Sequence, residues 1–312
     1  MKALVTGATG FVGRHLVAYL QGHGDTVIAT DRASGGPDIT NAQAVQQFVL
    51  HNEPEVIYHL AGQSDVHRSW GNPVESYRAN VEGVANLLAA AHTAGVGRVV
   101  AVLSADAYGR VAPENLPIDE DNPFLPLSPY AASKAAAEYV CIQAHLGSGL
   151  DVVRARPFTH IGPGQSPRFV AAALASRIAE AERTGEHTIT VGRLDTRRDF
   201  TDVRDIVQAY RLLALHGKSG AAYNVCCGVD VSIEQIAHQL VDLALHPMKL
   251  VPDPALQRPA DIPILRGDAT RLREATGWRP TISLEQTLHD MLDDWRRRLA
   301  VDIPTGTPSY FD

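Results

Sequence analysis

Cysteine is scarce in this chain: Cys141, Cys226 and Cys227 are the only three, and two are neighbours. Thiols so few and so spaced build no disulfide framework, and a reducing, cytoplasmic setting is expected. Metal-ligand patterns are missing too. The thirteen histidines form no HExxH pair and no CxxC pair accompanies them, so surface or core histidine is the expected reading and no metal site is foreseen. No run approaches the roughly 18 apolar residues that would span a bilayer. Met1-Lys2 leads straight into an apolar strand, so a targeting leader is not expected. The net charge of -7 argues against nucleic acid or an anionic membrane as partner. Internal repeats and low-complexity tracts are absent. What is present is 312 residues of ordinary globular balance, 45% apolar and 20% charged, enough for a sizeable core and two lobes.

The N-terminal stretch organises the rest. Lys2 to Thr6 reads as a buried strand, a turn carries Gly7, Gly10 and Gly13, and Phe11 to Tyr19 then follows helical period. Gly7 permits a tight turn, Gly10 lets backbone N–H groups approach a pyrophosphate, and Gly13 lets helix and strand pack closely. The spacing is GxxGxxG. Eighteen residues past Gly13, the strand-like run Thr26–Thr30 ends in Asp31, whose carboxylate can accept both ribose hydroxyls of an adenine dinucleotide.

Further strands are expected at Val56–Leu60, Val99–Leu103 and Asp151–Arg156. They alternate with helices near Asn41–Leu50, Pro73–Ala94 and Pro129–His145. Such alternation predicts an α/β fold, a doubly wound parallel Rossmann sheet with ligands at the strands' carboxyl ends. Gly7, Asp31, Ala61 and Ser104 all fall at such ends. Pro113–Pro129 reads as a solvated, charged loop. Past Pro157 the alternation breaks, and Thr201 is placed to cap the helix carrying Val203, Ile206 and Val207. The expected division is residues 1–160 plus about 200–228 for dinucleotide, with about 161–199 and 229–312 forming a smaller α/β substrate lobe. Ser232 and Ser283 each open a helix with a capping box.

Tyr130 and Lys134 stand one helical turn apart. A phenol of pKa about 10 is a poor acid–base group at neutral pH unless a nearby cation favours its phenolate. Lys134 can supply that charge and hold a cofactor ribose, while Ser104 can set a hydroxyl against a carbonyl oxygen.

These motifs together resemble the extended short-chain dehydrogenase/reductase family over nearly the whole chain. They are Thr6-Gly7-x-x-Gly10-x-x-Gly13, His59-Leu60-Ala61, Ser104-x-x-x-Tyr108-Gly109, Tyr130-x-x-x-Lys134 and Arg156-Pro157-Phe158. The longer runs His160–Ser166, Arg198–Asp205 and Arg258–Asp261 resemble the GDP-4-dehydro-6-deoxy-D-mannose reductases, with GDP-mannose 4,6-dehydratases as nearest relatives.

The resemblance implies a cofactor site at Gly7, Thr9, Gly10, Phe11, Val12, Gly13, Asp31, Arg32, Asp38 and Ile39. It continues through Leu60, Ala61, Gly62, Tyr130, Lys134, Pro157, Phe158 and His160. NAD(H) is favoured because Asp31 would repel a 2′-phosphate; Arg32 offsets that and leaves NADP(H) open. Substrate positions implied are Ser64, Asp106, Thr159, Arg168, Val170, Arg198, Arg258 and Asp261, with the two arginines on the diphosphate of a GDP-sugar. Surface ion pairs with Asp199 or Asp261 are the alternative for those arginines.

In the implied reaction, hydride reaches C4 of a 4-keto-6-deoxyhexose, Tyr130 protonates the alkoxide, Lys134 keeps its pKa low and Ser104 bonds the same oxygen. Dehydratases of this class usually carry Glu where Asp106 stands; the shorter arm disfavours C5 proton abstraction, and reduction is favoured. Ala105 and Thr159 depart from the usual Ser and Asn. A dehydratase, a 4-epimerase and a non-catalytic dinucleotide sensor are the competing readings. Members of the family often pair through the two helices near Pro73–Ala94 and Pro129–His145. A homodimer is therefore expected, with Tyr77, Val84, Leu88, Val140 and Leu146 as candidate seam.

Overall fold

The computed structural model of the protein describes residues 1–256 and 262–301. The chain opens with β1 (Lys2–Thr6), α1 (Phe11–Gly22), β2 (Thr26–Thr30), α2 (Ala42–Asn52) and β3 (Val56–His59). Next come α3 (Val66–Gly71), α4 (Pro73–Tyr77) and α5 (Gly83–Thr93), the last two joined by a π-helical turn at Arg78–Glu82. Then follow β4 (Arg98–Val102), α6 (Pro129–Ser148), β5 (Val152–Pro157) and β6 (Thr159–Ile161). The second half runs α7 (Val170–Thr184), β7 (Thr188–Val191), β8 (Arg197–Asp202), α8 (Val203–His216) and β9 (Ala222–Val225). It ends in β10 (Asp230–Ser232), α9 (Ile233–Asp242), β11 (Lys249–Pro252), β12 (Ile264–Leu265), α10 (Thr270–Thr276) and α11 (Leu284–Val301).

Two compact units result. The first takes residues 1–160, 197–230 and 262–281. Among its described residues, six strands form one sheet in the order β2-β1-β3-β4-β5-β9, parallel throughout. Both faces are covered: Leu4, Ile57, Val99 and Val152 pack with α2, α5 and α6, while Val5, Tyr58, Val100 and Val153 pack with α1 and α8. Burial on both faces explains why these strands read as continuous apolar runs rather than alternating ones. The order reverses between β1 and β3, and ligands of such sheets bind at that switch point. Local chemistry sets the helix that matters most. Ser128 accepts from Ala131 N–H at 3.1 Å, Pro129 stands in the first turn of α6, and Gly149 ends it in the left-handed region.

The second unit comprises the described parts of residues 161–196, 231–261 and 282–312. Helices α7, α9 and α11 pack together there beside a parallel pair, β7 and β11. Glu182 of α7 accepts from Arg296 of α11 at 2.7 Å and from Leu245 N–H at 2.9 Å. The capping box at Ser232 is complete, and Ser283 Oγ accepts from Gln286 N–H at 3.2 Å.

Several expectations change. Residues 262–281 belong with the first unit because Leu265, Leu272 and Trp278 enter its core, the Trp278 indole donating to Asp205 O at 3.0 Å. Arg198 belongs there as well, on β8, rather than to the substrate lobe. The cap of α8 is Asp202, whose carboxylate accepts from Arg204 N–H at 2.8 Å, and Thr201 is buried in the preceding strand. The Pro113–Pro129 segment is not simply solvated. Ile118 is buried, and the Glu120 carboxylate accepts from Asn224 N–H at 2.8 Å. Of the candidate dimer seam, Val84 and Leu88 lie inside the chain's own core and Val140 packs against it; Tyr77 and Leu146 are exposed.

Candidate active site

The glycine turn is shaped by what a side chain would strike. Gly7 has φ +70°, and a Cβ there would sit 2.8 Å from Ala61 N, so β1 and β3 end almost in contact. At Gly13 a Cβ would lie 2.1 Å from Gly7 O, which only glycine avoids. Gly10 differs: its Cβ position meets nothing closer than Gly7 O at 3.1 Å. It caps α1 without a side-chain bond, and no acidic residue occupies the first turn. Bare N–H groups at the positive end of α1, with Thr9, Phe11 and Val12 around them, therefore fit an anionic pyrophosphate.

The neighbouring strand ends extend this cradle. At β2, Asp31 Oδ1 accepts from Ala33 N–H at 2.9 Å. Arg32 is 80% exposed and reaches Asp38 at only 3.4 Å. Asp38 is held below the usual carboxylate range by N–H and hydroxyl bonds from Thr40, and Ile39 fills the space beside Gly83. At β3, Thr6 Oγ1 accepts from Ala61 N–H at 3.2 Å and meets His59 Nδ1 at 2.8 Å. Burial, with Lys134 nearby, pushes His59 down to about 3, so its ring is neutral. Leu60, Ala61 and Gly62 follow, and Ser64 is exposed just beyond. At β5, Pro157 and Phe158 are buried, Phe158 lying in the core. The His160 ring of β6 stacks on Phe11 with centroids 6.2 Å apart, bringing that strand to the glycine turn; burial lowers its pKa.

Ser104 follows β4 and caps a 3₁₀ turn, Ala105–Tyr108, by accepting from Asp106 N–H at 3.1 Å. Its hydroxyl stands near that of Tyr130, which is buried in the first turn of α6. Burial raises the Tyr130 pKa, the Asp106 carboxylate adds to the rise and the Ser104 hydroxyl opposes it. The expected lowering by Lys134 is not among these causes. Lys134 is buried one turn on, donates to Val102 O at 3.0 Å, and is itself pushed down to about 8 by desolvation. A phenol so placed keeps its proton at neutral pH and is a donor rather than a phenolate base.

Asn80 was not foreseen. It is buried in the π-helical turn, accepts from Gln63 N–H at 2.9 Å, and donates to Gln63 O at 3.0 Å and Ser133 Oγ at 2.8 Å. Ser133 in turn donates to Tyr130 O at 2.7 Å. Asn80 thus ties the loop after β3 to the first turn of α6. Its sequence signal was a poor helix former, followed by Gly83, inside a long helical run.

Substrate positions divide. Ser64, Asp106, Thr159 and Arg198 are in the first unit; Arg168 and Val170 are in the second, at the start of α7. Arg258 and Asp261 lie outside the described residues. Arg198 donates to Arg197 O at 2.8 Å and Ile262 O at 2.7 Å. The surface ion pair considered for Asp199 does not arise. That carboxylate is fully buried and accepts from the N–H groups of Cys227, Gly228 and Gly267. Among the described residues no group of three or more His, Cys, Asp or Glu could hold a metal, and no helix is long and apolar enough to cross a membrane.

A doubly wound sheet with a glycine cradle at its switch point, Ser104 past the end of β4 and Tyr130 with Lys134 at the start of α6 defines an NAD(P)-dependent enzyme. The chain belongs to the NAD dependent epimerase/dehydratase family, whose pattern it matches over residues 3–226. GDP-6-deoxy-D-mannose reductase of Pseudomonas aeruginosa is 39% identical over 300 residues, 96% of this chain and 98% of its own. GDP-6-deoxy-D-talose 4-dehydrogenase of Aggregatibacter actinomycetemcomitans is 30% identical over 280 residues, 89% of this chain and 92% of its own. Among solved structures, RMD from Pseudomonas aeruginosa complexed with NADPH superposes with a TM-score of 0.87 at 37% identity, covering 96% of this chain and all of that one.

Proposed function

We propose that this enzyme reduces the C4 ketone of GDP-4-dehydro-6-deoxy-D-mannose to give GDP-D-rhamnose. The observation that carries the reading is the Tyr130 side chain, buried at the start of α6 near Ser104, where burial raises its pKa. Reduction of a ketone consumes a proton at oxygen, and such a phenol is its source. The two relatives named for 6-deoxy-GDP-sugars support the substrate class and the position of reaction.

When bound, the nicotinamide supplies the hydride. The chain's own residues do the rest. Ser104 donates to the ketone oxygen and polarises it, and Tyr130 delivers its proton to the alkoxide there. The Lys134 ammonium would hold the cofactor ribose. Arg198 is assigned to the diphosphate, with Ser64 and Thr159 toward the sugar nucleotide. Asp106 orients a sugar hydroxyl; its arm is one methylene too short for efficient C5 proton abstraction, which disfavours dehydration. NADH is the preferred cofactor because the Asp31 carboxylate repels a 2′-phosphate more than the exposed Arg32 attracts it.

The protein acts as a homodimer in the cytosol. Trp70, Tyr77, Tyr139 and Leu146 stand exposed on α3, α4 and α6 and support a helical seam; sedimentation of Leu146→Arg as the same species as wild type would remove it.

Incubation with GDP-mannose and, separately, with its 4-keto-6-deoxy derivative tests the reaction. NADH consumption with the keto-sugar alone is the expected result. Keto-sugar formation from GDP-mannose without added reductant would make the enzyme a dehydratase. Tight NAD binding with no turnover would make it a sensor.

A further inference from the structure

Behind Ser104 and Tyr130, the first unit buries a run of polar groups that the proposed reaction does not use. Glu138 lies on α6, one turn past Lys134 and two past Tyr130, almost fully buried. Arg156 of β5, 5% exposed, forks onto it: Nη2 donates to Glu138 Oε1 at 2.6 Å and Nε at 3.2 Å. Arg154 donates to the same oxygen. The remaining nitrogen of Arg156, Nη1, donates to the Tyr108 hydroxyl at 2.7 Å and to Glu120 O at 2.8 Å. The Tyr108 hydroxyl donates onward to Asn224 Oδ1 of β9 at 2.7 Å. Its single proton and the lone pair facing Arg156 are thus both used. Arg156 also stacks its cation 4.8 Å from the centre of the Phe124 ring.

A buried ion pair is an expensive way to gain stability, since apolar residues of the same volume often serve as well. What a fork of this kind supplies is a fixed angle and distance. The two ends of the run locate its purpose. Tyr108 closes the short turn that Ser104 opens, and Glu138 stands on the helix that carries Tyr130 and Lys134. We propose that Arg156 is a positioning residue for the reduction. Clamped between Glu138 and Tyr108, it sets the Ser104 turn against α6 and so fixes the separation of the Ser104 and Tyr130 hydroxyls. The inference rests on the reading of Tyr130 as proton donor. Burial works against the guanidinium's charge, but Glu138 keeps Arg156 protonated at every working pH, so the clamp does not switch.

Arg156→Ala would leave the buried Glu138 with Arg154 alone and remove the donor to Glu120 O, a loss of stability unrelated to alignment. Tyr108→Phe is the cleaner perturbation, because it removes one hydroxyl from a filled site. Misplacement by an ångström costs about a hundredfold in rate, so a ten- to hundredfold fall in kcat is expected, with KM and NADH affinity within about twofold of wild type. In a Ser104→Ala background the same change should cost less than about twofold further, since the alignment it disturbs has already gone. Phe124→Leu loosens the packing around Arg156 and leaves its hydrogen bonds intact; it should lower Tm and leave kcat within about twofold. Equal losses from Tyr108→Phe in both backgrounds, or a Phe124→Leu loss as large as that of Tyr108→Phe, would reduce the network to a structural role.

A substrate-free readout separates this proposal from the proposed function. The ¹³Cζ resonance of Tyr130, assigned by its disappearance in Tyr130→Phe, reports the surroundings of the phenol hydroxyl, Ser104 among them. It should move in Tyr108→Phe and stay in Phe124→Leu; a resonance unmoved by Tyr108→Phe overturns the alignment. A wild-type chain inactive on the keto-sugar would sink the reaction and leave this measurement to decide the clamp.

Discussion

Lys134 offers a quantitative test because its burial is costly and the cost depends on pH. The side chain is 8% exposed, and desolvation pushes its pKa from 10.5 to about 8. The fold therefore disfavours the ammonium, and the unfolded chain binds the proton more tightly. The penalty is complete below about pH 8 and is relieved as the pH climbs toward the unfolded value. At 1.36 kcal/mol per pKa unit it amounts to about 3 kcal/mol at pH 7 and about 1.4 kcal/mol at pH 9.5. Lys134→Met removes the charge along with the bond to Val102 O, a pH-independent loss of about 1 kcal/mol. The variant should thus be about 2 kcal/mol more stable than wild type at pH 7, with the gap nearly closed at pH 9.5. Urea unfolding at the two pH values, on protein free of dinucleotide, measures the difference directly. A gap that stays constant or widens with pH would show that Lys134 does not bear this desolvation.

Three further outcomes follow from the site. Tyr130→Phe should lower kcat about a thousandfold while NADH affinity, read by nicotinamide fluorescence, stays within about twofold; near-normal turnover would remove the proton donor. Gly13→Ala places a Cβ 2.1 Å from Gly7 O, so α1 must shift. A loss on the order of 3 kcal/mol in thermal unfolding and at least tenfold weaker NADH binding are expected, and unchanged binding would refute the packing argument. Asp31→Ser should raise kcat/KM with NADPH about tenfold relative to NADH, because a full charge facing the 2′-phosphate is removed; an unchanged ratio would assign the preference elsewhere.

Patterns with a short reach carried over from sequence to fold. The β1–glycine–α1 unit, the strand closing on Asp31 and the α6 helix each rest on residues within one or two turns of each other. Apolar runs, glycines at tight turns and Ser128 with Pro129 are sufficient causes of those elements. Even the doubly wound parallel sheet was accessible in outline, since strands alternating with helices have few ways to cover both faces of a sheet. Where two readings of one residue differed only in what lay across from it, the sequence was silent. Val84 and Leu88 follow helical period whether their face meets a second subunit or α2, and the fold turns them into the core. Glu120 reads as one carboxylate among several in a Pro-rich loop until Asn224 N–H, some hundred residues on, takes it inside.

The catalytic electrostatics were decided at the same range. Spacing alone sets Tyr130 and Lys134 a turn apart and suggests a lysine that acidifies its phenol. Tertiary burial instead keeps the proton on Tyr130, sends Lys134 toward Val102 and lowers its own pKa. Residue identity and local spacing determined which groups could do chemistry here. Desolvation and long-range hydrogen bonds, which exist only once strands distant in sequence lie side by side, determined their protonation and their aim.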